Sequence, residues 1–202
     1  MDSLIGFIQL GLRHILDPNG LDHVLFLVAL AACYRPKDWR HGLAVVSAFT
    51  VGHSLTLGLA VVGLVGVSSE LVEFLIPITI VLAGLENLLD LGRSPRGWRR
   101  PLLAGGFGLI HGAGFASYLR SLFSDEVAVP LLGFNLGLEV GQAVVLAITV
   151  ASLAFADRLL GAGRSLGPGR RHTELALAVR TLATTAVVVT VAGRMALERT
   201  PW

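Results

Sequence analysis

The stretch GLAVVSAFTVGHSLTLGLAVVGLVG, residues 42–66, contains no Asp, Glu, Lys or Arg. As an α-helix it would rise about 37 Å, enough to cross a hydrocarbon core of about 30 Å. Working outward, comparable apolar runs occupy residues 21–34, 71–91, 101–123, 127–156 and 175–197. The 202-residue chain is 53% hydrophobic and 15% charged, with a mean hydropathy of +0.72, whereas soluble domains carry about 25% charged residues. The scarce charges are gathered in short clusters between the runs. That pattern excludes a nucleic-acid-binding domain and a disordered chain. Cys33 is the only cysteine, which excludes a disulfide scaffold. The expected fold is an all-α polytopic bundle in the lipid bilayer, one membrane domain over residues 1–202 with about six transmembrane helices.

The clusters alternate in sign. Arg35, Lys37 and Arg40 follow the first run, Arg93, Arg96, Arg99 and Arg100 the third, and Arg158, Arg164, Arg170 and Arg171 the fifth. The link after the second run carries Glu70, and the one after the fourth carries Asp125 and Glu126, with Arg120 just before. The positive-inside rule places the odd links in the cytoplasm and both termini outside. Residues 157–174 form a Gly/Arg-rich cytoplasmic loop that reads as a linker. Met1-Asp2-Ser3 has no basic n-region, so no cleavable signal peptide is expected.

The first run is short, about 21 Å as a helix. Asp17-Pro18-Asn19-Gly20 precedes it, a set of helix-stopping and turn-forming residues. Residues 3–16 before that are apolar except for Ser3, Gln9, Arg13 and His14. Two readings follow. The first is a broken or re-entrant helix with its break inside the membrane, which is tolerated only where protein or a watery cavity surrounds it. The second is an amphipathic surface helix followed by a short tilted span.

Ionisable side chains in hydrocarbon are costly and therefore candidates for function. His53 shares a helix face with Thr50 and Ser54. His111 lies among glycines, and Asn135, Glu139 and Gln142 form one polar stripe at i, i+4 and i+7. Glu73 and Asn87 lie on nearly one face of the third run. Glu86 and Asp90 are expected to pair with Arg93 or Arg96, and Arg180 to snorkel to the cytoplasmic surface. Counted from the ends of their runs at about 1.5 Å per residue, His53, His111 and Glu139 lie at one depth. The broken helix would bring Asp22 and His23 to the same level. Each imidazole alone could simply hydrogen-bond a neighbouring helix. As a group, mixed nitrogen and oxygen donors suit nickel, zinc, cobalt or iron(II). Gly133, Gly137 and Gly141, with Gly108 and Gly112, have the small-xxx-small spacing of close helix contacts, and are expected to draw together the helices bearing Glu139 and His111. A faint echo places Phe49 and Phe107 four residues before His53 and His111.

The chain resembles the second subgroup of the HupE/UreJ family of bacterial membrane proteins. The resemblance is carried by His14-Ile15-Leu16-Asp17-Pro18-Asn19-Gly20-Leu21-Asp22-His23, by Phe49-Thr50-Val51-Gly52-His53-Ser54, and by Val72-Glu73-Phe74-Leu75-Ile76-Pro77. Phe107-Gly108-Leu109-Ile110-His111-Gly112 and Phe134-Asn135-Leu136-Gly137-Leu138-Glu139 complete it. It implies a place in the bacterial cytoplasmic (inner) membrane, an association with hydrogenase and urease maturation, and uptake of nickel or cobalt. His14, Asp22, His23, His53, His111 and Glu139 would be the metal ligands. Asp17, Ser54, Glu73, Asn135 and Gln142 would be supporting polar groups. The leading expectation is a transporter or facilitator of a divalent transition metal, with Asp22, His23 and Glu73 lining the outer approach. The alternatives are an intramembrane zinc-dependent hydrolase acting on a lipid or amide, and a non-transporting accessory subunit. A homo-oligomer or contacts with metalloenzyme-maturation proteins would fit the same resemblance.

Overall fold

The computed structural model describes residues 4–17, 20–66, 68–122, 127–159 and 170–201. Pro18 and Asn19, the acidic link at 125–126 and most of the 157–174 linker lie outside the described residues. Among the described residues, seven α-helices follow one another: α1 (Leu4–Leu16), α2 (Leu21–Ala31), α3 (Trp39–Val61), α4 (Ser69–Glu86), α5 (Arg99–Leu122), α6 (Ala128–Leu159) and α7 (Arg170–Glu198). Short 3-10 turns at Pro36–Asp38 and Asn87–Asp90 extend α3 and α4. No strand occurs among the described residues. Four helical segments, at Pro36–Val61, Ser69–Asp90, Ala128–Leu159 and Thr173–Glu198, are long and apolar enough to cross a membrane. α5 is comparably long at 24 residues. α1 and α2, of 13 and 11 residues, are individually too short.

Glycine decides how the helices pair. α3 and α5 run parallel and touch backbone to backbone. A Cβ on Gly52 would strike the carbonyl oxygen of Gly105, one on Gly108 that of Phe49, and one on Gly112 that of His53. α1 and α6 repeat the arrangement, with Gly11 against the carbonyl of Phe134 and Gly137 against that of Ile8. Gly133 meets Leu4 and Phe7, and Gly141 meets Ile15. Such contacts need a bare Cα, because only then do backbones approach closely enough for dispersion and Cα–H···O contacts to hold them. The small-residue spacing therefore does mark close contacts, but not between the helices of His111 and Glu139. The stripe on α6 receives α1, and that on α5 receives α3. Since α1 lies lengthwise along α6, it is part of the bundle.

The chain breaks between α1 and α2 in a turn closed by the Gly20 N–H on the carbonyl of Asp17, 3.1 Å. α2 then leaves its last carbonyls without helical partners, and neighbouring side chains supply them. Asn87 Nδ2 donates to Ala29 O at 2.9 Å, Thr181 Oγ1 to Ala32 O at 3.1 Å, and Arg180 Nη2 to Tyr34 O at 2.7 Å. Arg180 also bonds Asp157 at 2.8 Å. Its side chain is 8% exposed, so it does not snorkel: the end of a half-helix, with its partial negative charge, offers a cation buried partners. Glu86 and Asp90 likewise pair with Arg99 and Arg100 rather than with Arg93 or Arg96. Arg100, buried over the Tyr34 ring, donates to Asn87 Oδ1 at 2.7 Å. The C-terminal end of α2 is thus held in a polar belt at the arginine-rich end of the bundle.

Candidate metal centre

Four histidines from four helices converge where α1 ends and α2 begins. Gly11 lets α1 lie on α6, which fixes His14 one turn later. Across the break, which the Gly20 N–H closes on the carbonyl of Asp17, His23 in the first turn of α2 stands beside His14, with ring centroids 4.7 Å apart. Gly108 and Gly112 press α5 onto the backbone around His53, so His111 and His53 face the same interior. His23 lies 6.1 Å from His53 and 5.3 Å from His111, centroid to centroid. His53 is fully buried, and His23 and His111 are nearly so.

Ligand nitrogens of His14, His23 and His53 lie within 4.8 Å of one another. The hydrogen bonds around them are incomplete. His14 Nε2, His23 Nε2, both nitrogens of His53 and His111 Nδ1 are buried with no hydrogen-bond partner. Buried polar atoms in proteins are nearly always satisfied, so orphans in one place indicate an absent partner. Imidazole nitrogens converging in this way are the donor set that a borderline transition-metal ion takes. Phe26, Phe49, Phe115 and Phe134 surround the imidazoles at centroid distances of 4.1–6.3 Å. Phe107 packs on Phe26, so both phenylalanines of the sequence echo belong to this apolar neighbourhood. A cleft of about 620 Å³, lined by Leu10, Leu12, Arg13, His14, Leu16, Asp17 and Phe115, reaches the cluster at His14.

The other polar residues are placed differently. Asp22, in the first turn of α2, pairs with Arg199 beyond the end of α7. Glu73 is exposed, and with Glu70, Arg199, Thr200 and Pro201 it lines a separate cleft of about 360 Å³. Glu139 lies on the exposed face of α6, while its neighbours Leu138 and Gln142 turn inward. Gln142 accepts from Thr50 Oγ1 at 2.7 Å and so ties α6 to α3. Ser54 donates to Thr50 O at 2.6 Å. Asn135 Oδ1 is buried without a partner. The structure therefore brings together His14, His23, His53 and His111, and does not bring Asp22 or Glu139 to them.

One neighbour escaped sequence reasoning. Thr79, buried on α4, lies 2.9 Å from His111 Nε2. A threonine in an apolar helix ordinarily satisfies itself on the preceding turn, so nothing in its local sequence points to a histidine on another helix.

Residues 1–196 match the family described as HupE / UreJ protein. No curated protein and no solved structure matches the chain. The blocks that carry the histidines lie inside the matched region, and the match covers nearly the whole chain: this protein belongs to the HupE/UreJ family.

Proposed function

We propose that this protein is a membrane transporter or facilitator for a divalent transition-metal ion, bound as cargo by His14, His23, His53 and His111. Nickel is the first candidate through the family, with cobalt and zinc next. The observation that carries the reading is the convergence of five unpaired, buried imidazole nitrogens from α1, α2, α3 and α5. Helix-to-helix glue would leave those atoms hydrogen-bonded. A set of imidazoles without a carboxylate discriminates against magnesium and calcium, which take oxygen ligands.

The surrounding residues suit a transit site. The phenylalanines enclose His23, His53 and His111, which are buried, while the cleft at His14 opens the cluster on one side. The break between the end of α1 at Leu16 and the start of α2 at Leu21 lies beside the cluster, as at the broken helices on which many transporters build their sites. With both termini outside, Glu70, Glu73 and Asp22 stand at the outer face and attract cations toward His23. The polar belt at Arg100, Asn87 and Arg180 then stands at the cytoplasmic end. Imidazoles bind metal in their neutral form, so protonation competes with the ion and acidification favours release.

Uptake into proteoliposomes tests this reading. Wild type should accumulate Ni²⁺ or Co²⁺, and His53→Ala and His111→Ala should not. Uptake unaffected by both substitutions would overturn it. Zinc retained stoichiometrically through dialysis, with no uptake, would favour the intramembrane hydrolase instead.

A further inference from the structure

We infer that Thr79 is a positioning residue for the metal site: it holds His111 in the Nε2–H tautomer and so keeps Nδ1 as a bare lone pair available as a fourth ligand. The inference rests on the metal-site reading and deepens it.

The argument is one of counting protons. Thr79 has a single hydroxyl hydrogen and two partners, the carbonyl of Ile76 at 2.6 Å and His111 Nε2 at 2.9 Å. A carbonyl can only accept, and the 2.6 Å contact to Ile76 O is the shorter of the two, so we assign the hydroxyl hydrogen to it. The Thr79 oxygen then presents a lone pair to the ring, and His111 Nε2 must be the donor. In a neutral imidazole the other nitrogen is then unprotonated. That nitrogen, Nδ1, is buried and has no partner. The opposite tautomer would leave a buried Nδ1–H without an acceptor and would require the hydroxyl to leave Ile76 O in order to donate to Nε2, so it is disfavoured.

The mutually close ligand nitrogens belong to His14, His23 and His53, and His111 stands next to this group, beside His23. His111 stands edge-on to His23, centroids 5.3 Å apart and planes at 72°. Phe26 and Phe49 flank it at 5.6 and 5.0 Å, and Gly112 fixes its helix against the His53 backbone. Metal-bound histidines usually donate their second nitrogen to an oxygen that sets orientation and tautomer. Thr79 fills that role from α4, a helix that supplies no ligand itself. Five helices then build the site.

The test uses purified full-length protein in detergent, with Co²⁺ as probe and ¹⁵N-histidine NMR as a metal-free readout. In wild type the His111 side chain should be Nε2–H. Thr79→Val should mix its tautomers and weaken Co²⁺ binding about 10–100-fold, and Thr79→Ser should restore both. His111→Ala should cost at least as much, and Thr79→Val added to His111→Ala should cost nothing further. An Nδ1–H ring in wild type, unchanged Co²⁺ affinity in Thr79→Val, or additive losses in the double variant would overturn the inference. If Co²⁺ binding needs His14, His23 and His53 but ignores Thr79 and His111, only this inference fails. If wild type binds no Co²⁺, the metal-site reading fails while the NMR tautomer still decides the role of Thr79.

Discussion

Arg199, just past the end of α7, sets its guanidinium 3.2 and 3.3 Å from the two carboxylate oxygens of Asp22 in the first turn of α2. The pair ties the last helix to the residue next to His23, at the edge of the cleft that holds Glu70 and Glu73. It sets a positive charge beside Asp22, the residue that precedes His23; on the proposed function that charge stands near the outer approach. Arg199→Gln should remove that charge and raise Co²⁺ affinity by up to about tenfold, the size of a partly screened charge interaction of ~1.4 kcal/mol. Asp22→Asn should lower it. Metal titration at low ionic strength checks both, and a weaker Arg199→Gln protein would contradict the placement.

The glycine contacts give an all-or-none contrast. Gly108→Ala, Gly112→Ala or Gly137→Ala would push a methyl onto a backbone carbonyl of the facing helix, and overpacking of this kind costs about 1–3 kcal/mol. Gly106 and Gly193 have nothing within 4 Å of the added carbon. Alanine there should be neutral, or stabilise by up to ~1 kcal/mol through helix propensity. Thermal unfolding in detergent should rank the two groups in that order.

Arg100 is the largest fully buried side chain among the described residues, between Glu86, Asp90, Asn87 and the Tyr34 ring. Arg100→Ala should destabilise by about 3–5 kcal/mol, because it strands buried partners. Lysine should recover little, since it cannot reproduce the planar fork. A midpoint unchanged in Arg100→Ala would mean that the belt does not hold the bundle together.

Glu139 turns away from the imidazoles. Glu139→Gln should therefore leave Co²⁺ affinity within about twofold, as expected for a substitution outside the site. A large loss would place Glu139 among the ligands after all.

The sequence made some of this legible for definite reasons. His53 and His111 stand out because ionisable groups are costly within apolar runs. Counting residues from the ends of the runs gives depth, and depth brought His23, His53 and His111 together correctly. Depth says nothing of rotation about the helix axis. Glu139 shares the level but faces outward, while Gln142, three residues on, faces in. The glycine stripes announced close approach, but the partner expected for them, each other's helix, was wrong, since a bare Cα does not specify what it meets. His14 came from family resemblance alone, because periodicity left residues 3–16 open between a surface helix and half of a broken span. Its packing along α6 depends on Gly11 meeting Phe134, a contact between residues far apart in the chain. Thr79 was invisible for a related reason: its bond to Ile76 is local and ordinary, and the lone pair that matters points to another helix.

The most direct test of the central claim is bound metal per chain. Purified wild type, titrated with Ni²⁺ or Co²⁺ in equilibrium dialysis, should bind one ion per chain at saturation, and His14→Ala, His23→Ala and His53→Ala should bind none. Full occupancy in His53→Ala together with His23→Ala would contradict the account, since no metal centre could then stand where these imidazoles meet.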